Sequence, residues 1–456
     1  MTTATIPRDG LAELLARERD AFRERNPRSR AAYERATHLF GRVPMTWMNK
    51  TAAGFPLYLD RAHGAHVRDL DGHDLVDLCL GDTGAMAGHS PAPTVAAVQR
   101  RLGELGGATA MLPTEDAEWV GAELARRFGL PLWSFSLTAT DANRWAIRLA
   151  RAVTGRPKIL FHSYCYHGSV DESLIVVGPD GRATSREGNV GAPCDVTDTS
   201  RVVEFNDVEA LERELAHGDV AAMLMEPALT NIGIVLPEPG YLEAVRELTR
   251  AHGTLLINDE THTFSAGPGG ATAAWGLQPD AVTIGKAIGG GIPCGAYGLS
   301  AELAERIDAR DDLDLVDMGG VGGTLAGNPV SVAAMRATLE HVLTEDAFAH
   351  MTALAGRYVD GVRATIERHG LPWSIVQLGA RAEVRFTSPA PASGGASAAA
   401  HDPDLDDYVH VALANRGVLL TPFHAMALMS PATTQDDVDR HHAAFAEAVG
   451  ALVAAA

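Results

Sequence analysis

Two short apolar runs, Leu255-Leu256-Ile257 and Ala281-Val282-Thr283-Ile284, constrain this chain more than any other stretch. Each stops abruptly at a charged group, the first at Asp259-Glu260 and the second at Lys286. Short β-branched runs bounded by Gly, Pro and Asp predict buried parallel strands. In an open α/β sheet the ligand crevice lies at the carboxyl ends of the strands. An acid and a lysine at the ends of neighbouring strands would therefore face one small molecule. A bound aldehyde cofactor needs that pair: an amine to form a Schiff base and a carboxylate to keep a pyridinium protonated.

The rest of the chain bounds that idea. With 456 residues there is room for two domains, or for one large domain with an appendage. The formal charge of −20 disfavours a nucleic-acid partner, and no run of Lys and Arg stands out. Cys79, Cys165, Cys194 and Cys294 are scattered and form no CxxC pair. That pattern predicts a reducing cytoplasm, with neither a disulfide framework nor a metal site. The N-terminal MTTATIPRDG lacks an apolar signal core, and no stretch approaches the ~20 apolar residues that span a bilayer.

In chain order, Leu11, Leu14, Leu15 and Phe22 recur at helical spacing within residues 9–39. They predict an amphipathic helix, either solvated or packed on a partner subunit. Trp47 lies among methionines in RVPMTWMNK, residues 42–50, which either packs in a core or lines a pocket. A meander occupies residues 55–80, with a hairpin signal at Asp71-Gly72. From there to about Ser300, helices alternate with short apolar strands, as in a doubly wound sheet. The candidate strands are 133–137, 158–161, 221–225, 255–258, 281–284 and 295–299. Residues 171–200 are polar and predict a long surface excursion. Helices at 329–345 and 351–368 lead on to strand-like segments at 374–380, 382–388 and 417–423. The stretch PAPASGGASAAAHDP, residues 389–403, is a mobile loop by composition, and a last amphipathic helix starts near Thr434.

Three further stretches could carry chemistry. Thr138-Ala139-Thr140-Asp141-Ala142-Asn143 joins a strand to a helix. Backbone N–H groups and the helix dipole make such a turn a phosphate cradle, and the alternative is an ordinary N-cap at Thr140 or Asp141. Tyr166, in Tyr164-Cys165-Tyr166-His167-Gly168, could stack on a planar ring or fill a core. Gly322-Gly323-Thr324-Leu325-Ala326-Gly327-Asn328-Pro329 is a second small-residue loop with one hydroxyl.

Taken together, TxTDAN, CYHG, EP, NDETH, GKAIGGG and GTLAGNP occur in an order that resembles the class III, or ω-, aminotransferases. The subgroup resembled holds glutamate-1-semialdehyde aminomutase and the β-amino-acid transaminases, over roughly residues 55–450. The resemblance implies an α/β protein of fold type I that uses pyridoxal 5′-phosphate. Its large domain would hold a mainly parallel seven-stranded sheet, and a smaller α+β domain would be built from both chain ends. The boundaries implied are 1–65, 66–325 and 326–456. Lys286 would be the Schiff-base lysine and proton shuttle, and Asp259 would pair with the pyridinium nitrogen. Tyr166 and Thr261 would cover the two ring faces, with His167 beside them. Ala139 and Thr140 would hold the phosphate. Glu226 would be an acid near the cofactor, and His262 would lie near the ring hydroxyl. Thr324 would reach the phosphate of a neighbouring subunit, which implies a homodimer.

The chain also departs from the family pattern. Ala139 and Asp141 stand where the phosphate loop usually has Gly and Glu. The carboxylate-binding arginine of β-amino-acid transaminases is missing near Thr421-Pro422-Phe423-His424, with Arg42 and Arg381 as candidate substitutes. Trp47, Tyr166, Phe423 and Met426 suggest an apolar pocket for aromatic β-amino acids or bulky amines. The expected reaction is ping-pong transamination between an amino donor and a keto acid, aldehyde or ketone. The alternatives are an intramolecular aminomutase, a non-catalytic cofactor-binding scaffold and an unrelated nucleotide-binding protein.

Overall fold

In the computed structural model, which describes residues 6–191 and 194–455, all six expected strands form and join one sheet. Residues 1–5, 192–193 and 456, which belong to the expected N-terminal segment, surface excursion and C-terminal segment, lie outside the described residues. The strands of this sheet are β1 (Leu132–Ser136), β2 (Lys158–His162), β3 (Ser200–Val203), β4 (Val220–Met225), β5 (Leu255–Asp259), β6 (Ala281–Gly285) and β7 (Gly295–Leu299). They lie side by side in the order β1-β7-β6-β5-β4-β2-β3. Every residue of β4, β5 and β6 is buried, which is why these strands read as continuous apolar runs without alternation.

Only β7 runs antiparallel to its neighbours, β6 and β1. Its small residues let it fit there. A Cβ at Gly298 would lie 2.6 Å from the Trp133 ring, and one at Gly295 would lie 2.5 Å from the Ser136 hydroxyl. β5 and β6 are parallel neighbours in register, with Asp259 opposite Thr283. The two charged terminations therefore do end adjacent strands.

The seventh strand, β3, starts at Ser200, the last residue of the stretch expected to be a surface excursion. That stretch also folds into a hairpin of Ile175–Val177 with Ala183–Ser185. The polar residues around β3 mask its buried pair, Val202 and Val203.

Two helices of the sheet-bearing region are α1 (Ala139–Thr154) and α2 (Pro329–His341). α1 packs Ala142, Trp145, Ala146, Ile147, Leu149 and Ala150 into the core.

The chain divides into two compact units, one of Ala92–Glu345 with Pro391–Ala399, the other of the remaining segments. The divisions fall after Pro91 and Glu345, later than the expected 65 and 325. The meander explains the first shift. Leu59–His63, His66–Asp69 and Asp74–Asp77 pair antiparallel, and Val418–Leu419 adds in parallel to the last of them. α2 explains the second, because it packs within the sheet-bearing unit; Arg127 donates to the carbonyls of Leu339 and Leu343 at 2.8 and 3.0 Å.

In the other unit, Arg8–Arg25 is the expected amphipathic helix, burying Leu11, Leu14, Leu15 and Phe22. It packs on Pro403–Asn415 of its own unit, and Arg19 reaches Asp407 at 2.7 Å. The segment expected to be mobile by composition contains a short helix, Gly394–Ala399. Hydrogen bonds from Asn206 to the Ala392 carbonyl (2.9 Å) and from the Gly395 N–H to Glu204 (3.1 Å) tie it to the sheet-bearing unit.

Candidate active site

Asp259 ends β5 as a fully enclosed carboxylate, and its four donors explain how a charge survives there. His167 Nδ1 and Asn143 Nδ2 both lie 2.8 Å from Oδ2. The Thr261 N–H and hydroxyl donate to Oδ1 at 3.0 and 2.5 Å. Burial by itself would push this acid up, but the His167 bond and charge, with Thr261 and Asn143, hold it below the ordinary carboxylate range. Burial likewise opposes a charged His167, yet neighbouring Cys165 and Asp259 keep its pKa well above the usual histidine value. His167 and Asp259 therefore form an ion pair, and the Nε2 of His167 has no hydrogen-bond partner among the described residues.

Lys286 follows β6 and opens a turn, Lys286–Gly289, in the left-handed region at φ +51. Its Nζ lies 2.8 Å from His262 Nε2. The start of α1 stands beside this lysine, for a Cβ on Gly285 would meet the Ala139 backbone nitrogen at 2.8 Å. The N-cap of α1 is Thr138, neither Thr140 nor Asp141; its side chain accepts from the Asp141 N–H at 3.1 Å. That places Ala139 and Thr140 in the first turn, where N–H groups point outward and the dipole favours an anion. Gly168 closes on Thr140, since a Cβ there would fall 1.9 Å from the Thr140 hydroxyl oxygen.

Glu226, just past the end of β4, is also buried. It accepts from the Tyr166 N–H at 3.3 Å, from Thr230 and from Asn231. Burial raises its pKa against the His167 charge and the Thr230 bond. Tyr166 is half-buried. The Thr261 hydroxyl is engaged by Asp259, so only its methyl remains for packing. Thr324 is exposed on its small-residue loop.

The expected substrate residues fall in the other unit. Trp47 meets Phe423 edge-on with ring centroids 5.3 Å apart, and both belong to short connecting segments. Met426 is buried in the strand Met426–Leu428. Arg42 is exposed, with its guanidinium 5.8 Å from the Tyr33 ring centroid. It shares a shallow cleft of about 440 Å³ with Arg23, Arg30 and Glu34. Arg381 is 0% exposed and donates to the Thr83 hydroxyl at 2.5 Å, so its guanidinium is committed to the interior.

Two contributors were not legible beforehand. Asn143 bridges Thr283 (2.5 Å) to Asp259, and one helical turn on from Ala139 it faces the sheet. Its signal was its place in TDAN. Glu260 accepts from Thr263 (2.6 Å) and from the Ala271 and Thr272 N–H groups, fixing the loop after β5.

A pyridine aldehyde phosphate fits these residues. The amine, the anionic carboxylate and the helix N-terminus match its aldehyde, ring nitrogen and phosphate.

The model of the family Aminotransferase class-III matches residues 47–449. A glutamate-1-semialdehyde 2,1-aminomutase of Anaeromyxobacter dehalogenans (strain 2CP-1) is 35% identical over 435 residues, which is 92% of this chain and 98% of that protein. Among solved structures, a glutamate-1-semialdehyde aminomutase from Pseudomonas aeruginosa PAO1 superposes with TM-score 0.95 and 46% identity, over 98% of this chain and 99% of that one. Its K286A form is solved in complex with PMP. An ω-transaminase from Sphaerobacter thermophilus gives TM-score 0.85 and 29% identity, over 95% and 99% of the two chains.

Proposed function

The chain belongs to the class III aminotransferases, and from that premise we propose that it moves an amino group within one small molecule, as an aminomutase. The observation that carries this choice over intermolecular transamination is the likeness to aminomutases, at 46% identity across 98% of the chain. Expected first was transamination; the relatives support the intramolecular alternative better.

The enzyme uses pyridoxal 5′-phosphate. That cofactor supplies an aldehyde for amines to condense with and a pyridinium ring that draws electrons from the bond beside the amine. Lys286 would provide the amine that holds it and, once released, the base that takes a proton from, or returns one to, the substrate carbon bearing the amino group. Asp259, kept anionic by His167, Asn143 and Thr261, holds the ring nitrogen protonated. Ala139 and Thr140 seat the phosphate at the start of α1, and Tyr166 covers a ring face. Of the two candidate arginines, Arg42 has the exposed guanidinium and would hold a substrate carboxylate. A second copy of the chain would cover the exposed Met111, Leu112, Val316 and Met318 and bring Thr324 to the partner's phosphate. Free thiols at all four cysteines support a cytoplasmic setting. Among the described residues no helix is long and apolar enough to cross a membrane.

The test is turnover of glutamate-1-semialdehyde as sole substrate. Conversion to its 2,1-isomer without a keto acid supports the proposal. Turnover that requires a keto-acid acceptor would establish the transaminase reading instead. The Trp47–Phe423 pair favours that second reading, with aromatic β-amino acids as donors. It fails if 3-amino-3-phenylpropanoate donates no faster than simple aliphatic amines.

A further inference from the structure

We propose that His262 is a positioning residue for Lys286: its Nε2 holds the lysine amine in place and exchanges a proton with it. The two side chains meet for a topological reason. β5 and β6 run parallel with Asp259 opposite Thr283, and His262 and Lys286 lie equally far beyond that pair. Both strands end in turns, Thr263–Ala266 after His262 and Lys286–Gly289. The chain thus turns His262 and Lys286 toward one point, where Nε2 and Nζ are 2.8 Å apart.

The contact is built. His262 is 5% exposed, and Glu260 fixes the loop that follows it through Thr263, Ala271 and Thr272. Lys286 enters from a left-handed backbone, which a lysine adopts only when its surroundings hold it there. A lysine side chain otherwise explores many rotamers, and one charge-assisted hydrogen bond at its tip removes most of them.

The chemistry gives the bond a purpose. An amine adds to a carbonyl carbon only when unprotonated. The ammonium proton of Lys286 can pass along the 2.8 Å bond to Nε2. As the carbon–nitrogen bond forms, that proton returns to the carbonyl oxygen. The oxygen leaves as water with it and with a second amine proton, and the nitrogen keeps the third. No oxidant or reductant is needed.

This inference rests on Lys286 being the amine that takes the cofactor, and the experiment separates the two claims. Cofactor-free protein is given two probes. Pyridoxamine 5′-phosphate has no aldehyde, and its equilibrium affinity reports the intact site. Pyridoxal 5′-phosphate reports the rate of covalent capture, followed by absorbance after rapid mixing. His262→Ala is expected to slow capture about tenfold or more, the scale of a charge-assisted hydrogen bond. Its pyridoxamine 5′-phosphate affinity is expected to stay parental, and imidazole in the buffer to restore part of the rate. Capture by His262→Ala at the parental rate, or a slow rate that imidazole leaves unchanged, would overturn the proposal. Should His262→Ala lose pyridoxamine 5′-phosphate as well, His262→Gln decides. Slower capture at parental affinity supports the role, and parental capture overturns it. Capture by a Lys286→Ala control would instead sink the assignment of Lys286 itself.

Discussion

Replacing Asp259 with Asn tests how the buried charge is held. The aspartate accepts four hydrogen bonds: two on Oδ2 from His167 and Asn143, and two on Oδ1 from Thr261. An asparagine accepts at one end only and presents an NH₂ at the other. Turned one way, its NH₂ faces the His167 and Asn143 donors; turned the other, it faces the Thr261 N–H, while the Thr261 hydroxyl can rotate to accept. A buried donor left without an acceptor costs about 1–3 kcal/mol, and the His167 ion pair is lost as well. His167 relieves part of this by giving up its proton. The expected loss is therefore about 3 kcal/mol in the cofactor-free protein.

The pH dependence carries a sign. His167 is raised above its ordinary 6.5, so its contribution is full below that value and fades as pH rises through the folded pKa. Asp259 is lowered below 3.8, so its contribution is full above that value and is lost as pH falls through the folded pKa. The gap between parent and Asp259→Asn should be widest between those limits and should narrow toward alkaline pH. Urea unfolding of the cofactor-free proteins, followed by tryptophan fluorescence across a pH series, measures it. A gap below about 1 kcal/mol, or one that widens as pH rises, would refute the reasoning.

Three other perturbations rest on the geometry. Gly168→Ala puts a Cβ 1.9 Å from the Thr140 hydroxyl oxygen at φ +77. It should cost about 1–2 kcal/mol in backbone strain and weaken pyridoxamine 5′-phosphate binding in equilibrium dialysis. Lys286 sits at φ +51, so Lys286→Gly should unfold at higher urea than Lys286→Ala, by about 1 kcal/mol. Val316 is 99% and Met318 80% exposed; Val316→Asp with Met318→Asp should shift the dimer proposed above toward monomer in sedimentation.

What could be read beforehand was local. Asp259 and Lys286 stood out because each ends a strand buried on both faces, where a charged residue has few reasons to be. The parallel register of the strands carries their adjacency. β3 was hidden because its two buried valines lie inside a polar stretch too short for alternation to show. Arg381 illustrates what no local pattern reveals. In Arg381–Arg385, charged and apolar residues alternate, which predicts a half-exposed strand, yet all five are buried. The charged face is enclosed because Glu383 lies 3.6 Å from Arg385 and 3.5 Å from His424, residues brought together by the fold. The later division between the compact units has a similar origin: Val418–Leu419 pairs with Asp74–Asp77 from the far end of the chain. The His262–Lys286 contact needed the register and both turns, and spacing in the sequence shows neither.

The central claim is that the amine of Lys286 takes the cofactor, and the composition makes it unusually easy to test. The chain has only three lysines, Lys50, Lys158 and Lys286. Lys158 is paired with Asp219 at 3.2 Å, and Lys50 is exposed. Borohydride reduction of the pyridoxal-phosphate-loaded protein, followed by peptide mass mapping, should place the cofactor's mass on the peptide that contains Lys286 and on no other. Label on Lys50 or Lys158 with Lys286 unmodified, or a protein that reduces without retaining label, would contradict the account.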